Sequence, residues 1–262
     1  MNRDLVLACV GVLIAIAATT ALDVIGLTVI SALVLIPLTL FFWFVQRFGR
    51  QEMGLTLGRG KDYGIALLYP LLVLGVIGLI AWFAGVINTS ETAWEKFTFV
   101  VGMGLAIGPI MVLLTEEGFF RGWLWACCKR SGMSETAALL ATTIAFTLWH
   151  LSAATLSKEF RVSGSQIPIY LTNVVVLSLI WGLMRSISGS ALVPSVSHAV
   201  WNPFAYELFG FGTEKLGALG IQQKATYNPE SGVLGIVFNL LFLAGMWIWF
   251  KKREKPKESE SD

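Results

Sequence analysis

The sequence predicts an all-α integral membrane protein with about eight transmembrane helices. Mean hydropathy is +0.71, 55 % of the 262 residues are hydrophobic, and only 14 % are charged. Soluble domains carry about 25 % charged residues, so this chain has too little polar surface to cover a water-soluble globule. The composition therefore nearly excludes a soluble enzyme and makes a polytopic membrane protein the default expectation. It also excludes a disordered chain and a collagen, and its 3 cysteines do not suggest a disulfide scaffold.

Eight apolar segments are long enough to cross a bilayer core, which takes about 20 residues as a helix. They are predicted at 5–22, 25–45, 64–86, 97–128, 136–156, 167–184, 191–209 and 233–250. The first segment exceeds the ~7–15 apolar residues of a signal peptide, and a second span follows it directly. We therefore expect it to be retained as a helix, with Asp23 in a tight external turn.

The fourth span differs from the others because it carries charges. It would be about 48 Å long as a continuous helix, and it contains Glu116, Glu117 and Arg121. Pro109 precedes the two glutamates by one to two turns, which predicts a bend at that point.

Charged loop residues predict the orientation. Lys and Arg are more than twice as frequent in one set of alternate loops as in the other, which favours cytoplasmic N- and C-termini. Residues 1–250 are predicted to form a single membrane domain with its motif-bearing core at 97–209. Residues 251–262, KKREKPKESESD, form a charged cytoplasmic tail that acts as a topology anchor; no nucleic-acid binding is expected.

Ionisable residues at membrane depth are costly and are therefore functional candidates. Glu117 and Arg121 are four residues apart on one helix face and can neutralise each other. Glu116 projects about 100° away from Glu117. A carboxylate left facing a wet cavity is a candidate general base.

Both histidines of the chain lie in apolar spans, His150 in the fifth and His198 in the seventh, one turn before Asn202. Helix rise places Glu116 and the two histidines within about 10 Å of one another in depth, so convergence is permitted. A Glu and a His can polarise a water, and a His and an Asn can stabilise an oxyanion, as amide hydrolysis requires. A Glu and two His also suit zinc, although H-E-x-x-H spacing is absent. The residues alone leave metal-free and zinc-assisted hydrolysis open.

Three motifs occur in order on separate predicted helices: E-E-x-x-x-R, F-x-x-x-H and H-x-x-x-N. This ordered set resembles the CPBP family, which comprises type II CAAX prenyl endopeptidases and the bacterial CAAX-protease-like, bacteriocin-processing and immunity (Abi) proteins. The motif residues are Glu116, Glu117, Arg121, Phe146, His150, His198 and Asn202. The resemblance implies that the catalytic helices enclose a membrane-embedded cavity.

The resemblance also implies roles for these residues. Glu116 would be the base that activates water and His150 would help to hold that water, while His198 and Asn202 would form the oxyanion site. Supporting roles would fall to Glu117, Arg121 and Phe146. No cofactor is implied; zinc bound by Glu116, His150 and His198 is the alternative.

The predicted function is that of a hydrolase, a CAAX-protease-like intramembrane endopeptidase. Its partners would be the lipid bilayer and a membrane-associated protein or peptide, with prenylated substrates as one option. A prokaryotic plasma membrane is the predicted location and the endoplasmic reticulum the alternative. The rival functions are a non-catalytic bacteriocin-immunity protein and a small proton-coupled transporter; the lack of an internal repeat weakens the transporter.

Overall fold

The computed structural model describes residues 2–254, which form helices and connecting turns with no β-strand in that range. The α-helices run in chain order as α1 Arg3–Val24, α2 Thr28–Ser31, α3 Leu35–Gln46, α4 Gly60–Phe83, α5 Trp94–Leu114, α6 Trp125–Arg130, α7 Glu135–Thr155, α8 Ile167–Ser188, α9 Leu192–Phe209, α10 Lys224–Tyr227 and α11 Val233–Glu254. Residues 251–254 of the predicted tail extend α11, and 255–262 lie outside the described residues.

Within the described residues, seven helical segments are long and apolar enough to cross a membrane. They are Arg3–Val24, Thr28–Gln46, Gly60–Phe83, Trp94–Arg130, Glu135–Thr155, Gly164–Ser188 and Val233–Lys252. The all-α polytopic fold class is therefore confirmed.

The predicted span 191–209 forms α9 but is not among these seven. Its serines, prolines, His198 and Asn202 dilute the apolar residues and lower its hydropathy. Instead of facing lipid along its length, α9 packs against α4, α5 and α8. Its Trp201 is fully buried. This comparatively polar helix thus packs against three neighbouring helices, which can satisfy its polar groups.

The long fourth span is interrupted beside its acidic pair. Pro109 remains inside α5, and the helix ends five residues later, at Leu114; the next residue, Thr115, leaves helical geometry with φ −99° and ψ −101°. A π-helix at Gly118–Leu124 then leads into α6. π-Helical turns are rare and often mark functional sites. The break therefore lies at the glutamates themselves, not at the proline.

The expectation that Asp23 lies in a tight external turn is wrong. Asp23 belongs to the last turn of α1, has no solvent exposure, and accepts a hydrogen bond of 2.6 Å from the Ser152 hydroxyl of α7. The turn follows at Gly26, whose positive φ of 83° favours glycine. A buried carboxylate needs hydrogen-bond partners, and this contact holds α1 against the helix that carries His150.

Candidate active site

The π-helix places Glu117 and Arg121 against each other inside the bundle. Arg121 Nη1 lies 3.3 Å from Glu117 Oε1, and neither side chain has solvent exposure. Arg121 Nη2 also donates to the carbonyl and hydroxyl oxygens of Ser178 on α8, at 3.2 and 2.9 Å. The guanidinium lies 4.3 Å from the ring centroid of Phe146. The two opposite charges therefore neutralise each other, as their spacing predicted.

His198 is oriented by contacts on two sides. Its Nδ1 donates to Glu117 Oε1 at 3.0 Å, because the carboxylate can only accept. Its ring stacks on Trp181 with centroids 3.8 Å apart and an interplanar angle of 16°. These contacts direct Nε2 towards Glu116, whose Oε2 lies 3.9 Å away.

His150 is oriented by its own helix. Its Nδ1 donates to the carbonyl oxygen of Phe146, one turn earlier, at 2.9 Å, so Nε2 of the neutral ring is an acceptor. The Phe146 ring packs 4.2 Å from the imidazole, centroid to centroid. His150 Nε2 lies 3.9 Å from Glu116 Oε2.

Glu116 therefore faces both imidazoles with a single oxygen atom. This Oε2 atom is buried and has no hydrogen-bond partner among the described residues. The side chains of Glu116 and His150 keep 14 % and 17 % of their exposure, so the group borders an open space. A separation of 3.9 Å is too long for a hydrogen bond. A water oxygen about 2.8 Å from both Glu116 Oε2 and His150 Nε2 would make an angle of roughly 90° with these two acceptors. That angle is close to the one between the two O–H bonds of water.

Asn202 lies one turn after His198 on α9 and is partly exposed. Within the described residues its side-chain amide makes no hydrogen bond, so its N–H groups are free to donate to a ligand. The structure thus brings together Glu116, His150 and His198, while Asn202 is placed only by its position one helical turn after His198.

Residues 98–204 match the family described as type II CAAX prenyl endopeptidase Rce1-like. The CAAX-protease resemblance is confirmed. The matched segment runs from α5 to α9 and contains all the motif residues, while α1–α4 and α11 lie outside it. No solved structure is significantly similar to the chain.

The matched family is one of prenyl endopeptidases, which are hydrolases. Among the described residues, no group of three His, Cys, Asp or Glu side chains has metal-binding geometry. Nδ1 of each histidine bonds to Phe146 or to Glu117, which leaves Nε2 of both rings facing Glu116. The absence of a cofactor stays a prediction.

Several contacts of this protease-like site were not predicted. Ser178 and Trp181 of α8 hold Arg121 and His198, but neither belongs to a motif, and common residues in an apolar helix give no signal of such a role. Glu230 lies in the loop before α11 and accepts a 3.0 Å hydrogen bond from Trp201 Nε1. Glu230 is a single acidic residue in a loop, so no motif spacing in the sequence could have predicted its contact with Trp201.

Proposed function

We propose that the protein is an intramembrane endopeptidase in which Glu116 activates a water molecule for attack on a peptide bond. One observation carries the proposal: the buried, unpartnered Oε2 of Glu116 faces Nε2 of both histidines at 3.9 Å. Two acceptors, the Glu116 carboxylate and the His150 Nε2 atom, can take both hydrogens of one water. The oxygen lone pairs are then directed towards a carbonyl carbon.

The reaction conserves atoms and protons without a co-reactant other than water. Water oxygen bonds to the carbonyl carbon while its proton passes to Glu116, forming a tetrahedral oxyanion. When the C–N bond breaks, Glu116 returns the proton to the leaving amine, so that the products are a carboxylic acid and an amine, which ionise to a carboxylate and an ammonium. General acid–base catalysis by one positioned group contributes about 10²–10⁴-fold.

The oxyanion would be stabilised by Asn202 and His198. The Asn202 amide has free donors, whereas His198 already uses Nδ1 on Glu117. His198 Nε2 can therefore donate to the oxyanion only when both ring nitrogens carry a proton. In this mechanism Glu117 is a positioning residue that acts through His198, and Arg121 holds Glu117 in place.

The substrate class follows from where the site lies. The site is built from helices of a membrane protein, so the substrate is a membrane-associated protein or peptide, with prenylated, CAAX-type proteins included in the proposal. The proposed location is a prokaryotic plasma membrane, with both termini of the protein in the cytoplasm. Nothing in the described contacts favours the immunity-protein or transporter alternatives.

The test is cleavage of a membrane-anchored peptide library, with and without prenyl groups, by the purified protein. Glu116→Gln and His150→Gln should each lower kcat by at least about 100-fold. Glu91→Gln, an exposed carboxylate in the α4–α5 loop, should cleave like the parent. Activity that survives in Glu116→Gln contradicts the assignment of the base, and activity lost on exhaustive chelation contradicts the metal-free mechanism.

A further inference from the structure

Helices α4 and α11 enclose an apolar groove on the outside of the bundle, with a volume of about 500 Å³. It is lined on α4 from Ile65 to Val76 and on α11 from Phe238 to Trp249. The rise from Ile65 to Val76 along the helix axis is about 16 Å, which is close to half of a ~30 Å bilayer core. The groove therefore has the length of the hydrocarbon layer of one leaflet.

Side chains of the protein leave this groove open. Gly245 forms part of its wall on α11, and a Cβ added there would meet no heavy atom within 4 Å. Leu68, Leu72 and Leu241, which also line it, are exposed by 55 %, 48 % and 64 %. A continuous apolar surface of this kind is typical of a site that an apolar partner covers.

The α4 face of the groove continues into a lysine. Its residues follow one another at spacings of three and four: Lys61, Ile65, Leu68, Leu72 and Val76. Residues at these spacings share a helix face, so Lys61 extends the face by one turn beyond its apolar end. Lys61 is exposed and forms no ion pair with another described residue.

The α11 face of the groove also continues into a lysine. Its residues have the same spacings: Phe238, Leu241, Gly245, Trp249 and Lys252. Lys252 is exposed and forms no ion pair among the described residues. The start of α4 and the last turns of α11 are neighbours, because Asp62 and Trp249 line one small cavity. The two lysines therefore lie at the same end of the groove.

The other described charges at this end do not cancel the two lysines. The Asp62 carboxylate is buried and paired with Arg59 at 2.9 Å. The Lys251 ammonium lies 5.1 Å from the ring centroid of Trp247 and adds a further positive charge. Basic residues beside the membrane attract the phosphates of anionic lipids, and basic sites between transmembrane helices bind their headgroups.

We propose that the groove between α4 and α11 is a binding site for an anionic phospholipid. One acyl chain lies in the groove, and the lipid phosphate contacts Lys61 and Lys252. The apolar part of the groove matches the depth of one leaflet, and its basic end matches the phosphate. The inference does not rest on the proposed peptidase function, because none of the proposed catalytic residues lines the groove.

The experiment is native mass spectrometry of the full chain in one detergent, titrated with equal amounts of dioleoyl phosphatidylglycerol and dioleoyl phosphatidylcholine. These lipids share their acyl chains and differ in net charge. We expect the first bound lipid to be phosphatidylglycerol by about 30-fold, or about fivefold for each lysine. Lys61→Gln combined with Lys252→Gln should reduce this ratio to about one.

Matched variants separate the basic end from net charge and from the groove itself. Lys96→Gln with Lys158→Gln also removes two exposed lysines, but away from the groove, and should keep the preference. Gly245→Leu fills the groove without changing a charge. It should lower phosphatidylglycerol binding by at least about tenfold, the affinity of about two buried methylene groups. Gly102→Leu, in open space on α5, should bind like the parent.

Four results would overturn the proposal. The parent could bind both lipids equally, or both lysine pairs could have the same effect on the preference. Phosphatidylglycerol could bind Gly245→Leu as well as the parent. Glycerophosphoglycerol, the headgroup without acyl chains, could compete at equal concentration, which would indicate a phosphate site that takes no chain. Finally, a dimer that dissociates in Gly245→Leu would assign the groove to a second copy of the chain.

Discussion

The buried ion pair between Glu117 and Arg121 allows a quantitative prediction. Removing one partner of a buried pair costs about 3–5 kcal/mol, because the remaining charge is left uncompensated. Glu117→Gln leaves Arg121 with its Ser178 hydrogen bonds and the Phe146 ring, so we expect about 3 kcal/mol. Arg121→Met also removes those contacts and should cost at least as much.

The double variant, Glu117→Gln with Arg121→Met, buries no charge. It loses the two Ser178 hydrogen bonds, each worth about 1.5–3 kcal/mol because the donor is charged, and the cation–π contact, worth about 0.5–2 kcal/mol. Since the cost of desolvating both charges disappears and methionine regains apolar packing, we expect a net cost of about 1–3 kcal/mol. The double variant should therefore be more stable than the sum of the single changes predicts, by at least about 2 kcal/mol.

The assay is thermal unfolding of the four proteins in one detergent, followed by intrinsic fluorescence, with peptide cleavage measured in parallel. Each kcal/mol corresponds to about 2–4 °C for a domain of this size class. Although its stability recovers, the double variant should remain poorly active, because the charged acceptor that holds His198 Nδ1 has been replaced by a weaker, neutral one. Additive losses of stability would refute the coupling, and full activity in the double variant would refute the positioning role of Glu117.

Two further predictions concern the framework of the site. An added Cβ at Gly118 would overlap the carbonyl oxygen of Leu113, so Gly118→Ala should disrupt the α5–π-helix junction and abolish cleavage. Gly102→Ala, in open space on α5, should leave Tm and cleavage unchanged, and equal behaviour of both variants would show that the junction tolerates a side chain. Ser152→Ala removes the donor to buried Asp23 and should cost about 1–3 kcal/mol in the same unfolding assay; an unchanged Tm would mean that this contact does not hold α1 to α7.

Apolar periodicity and length predicted most of the helices well. Hydropathy is a local property, so spans such as 5–22 and 136–156 lie within a few residues of the helices observed. Local reasoning failed where a distant partner decides the conformation. Asp23 continues α1 because Ser152 donates to one oxygen of its buried carboxylate, and the break beside Glu116 follows from a π-helix that no proline marks.

The sequence by itself determined the membrane class, the ordered motifs and the family they indicate, because these depend only on composition and spacing. Only the tertiary structure decided what each charge contacts. Glu116 and Glu117 are adjacent in the chain, yet one oxygen of Glu117 accepts from Arg121 and His198, whereas Glu116 lies 3.9 Å from two imidazoles and bonds to neither. Glu230, in a loop outside the motifs, bonds to Trp201 of the helix that carries His198. The physical reason is that burial and hydrogen bonding belong to the packed helices together, and spacing within one helix cannot specify its neighbours.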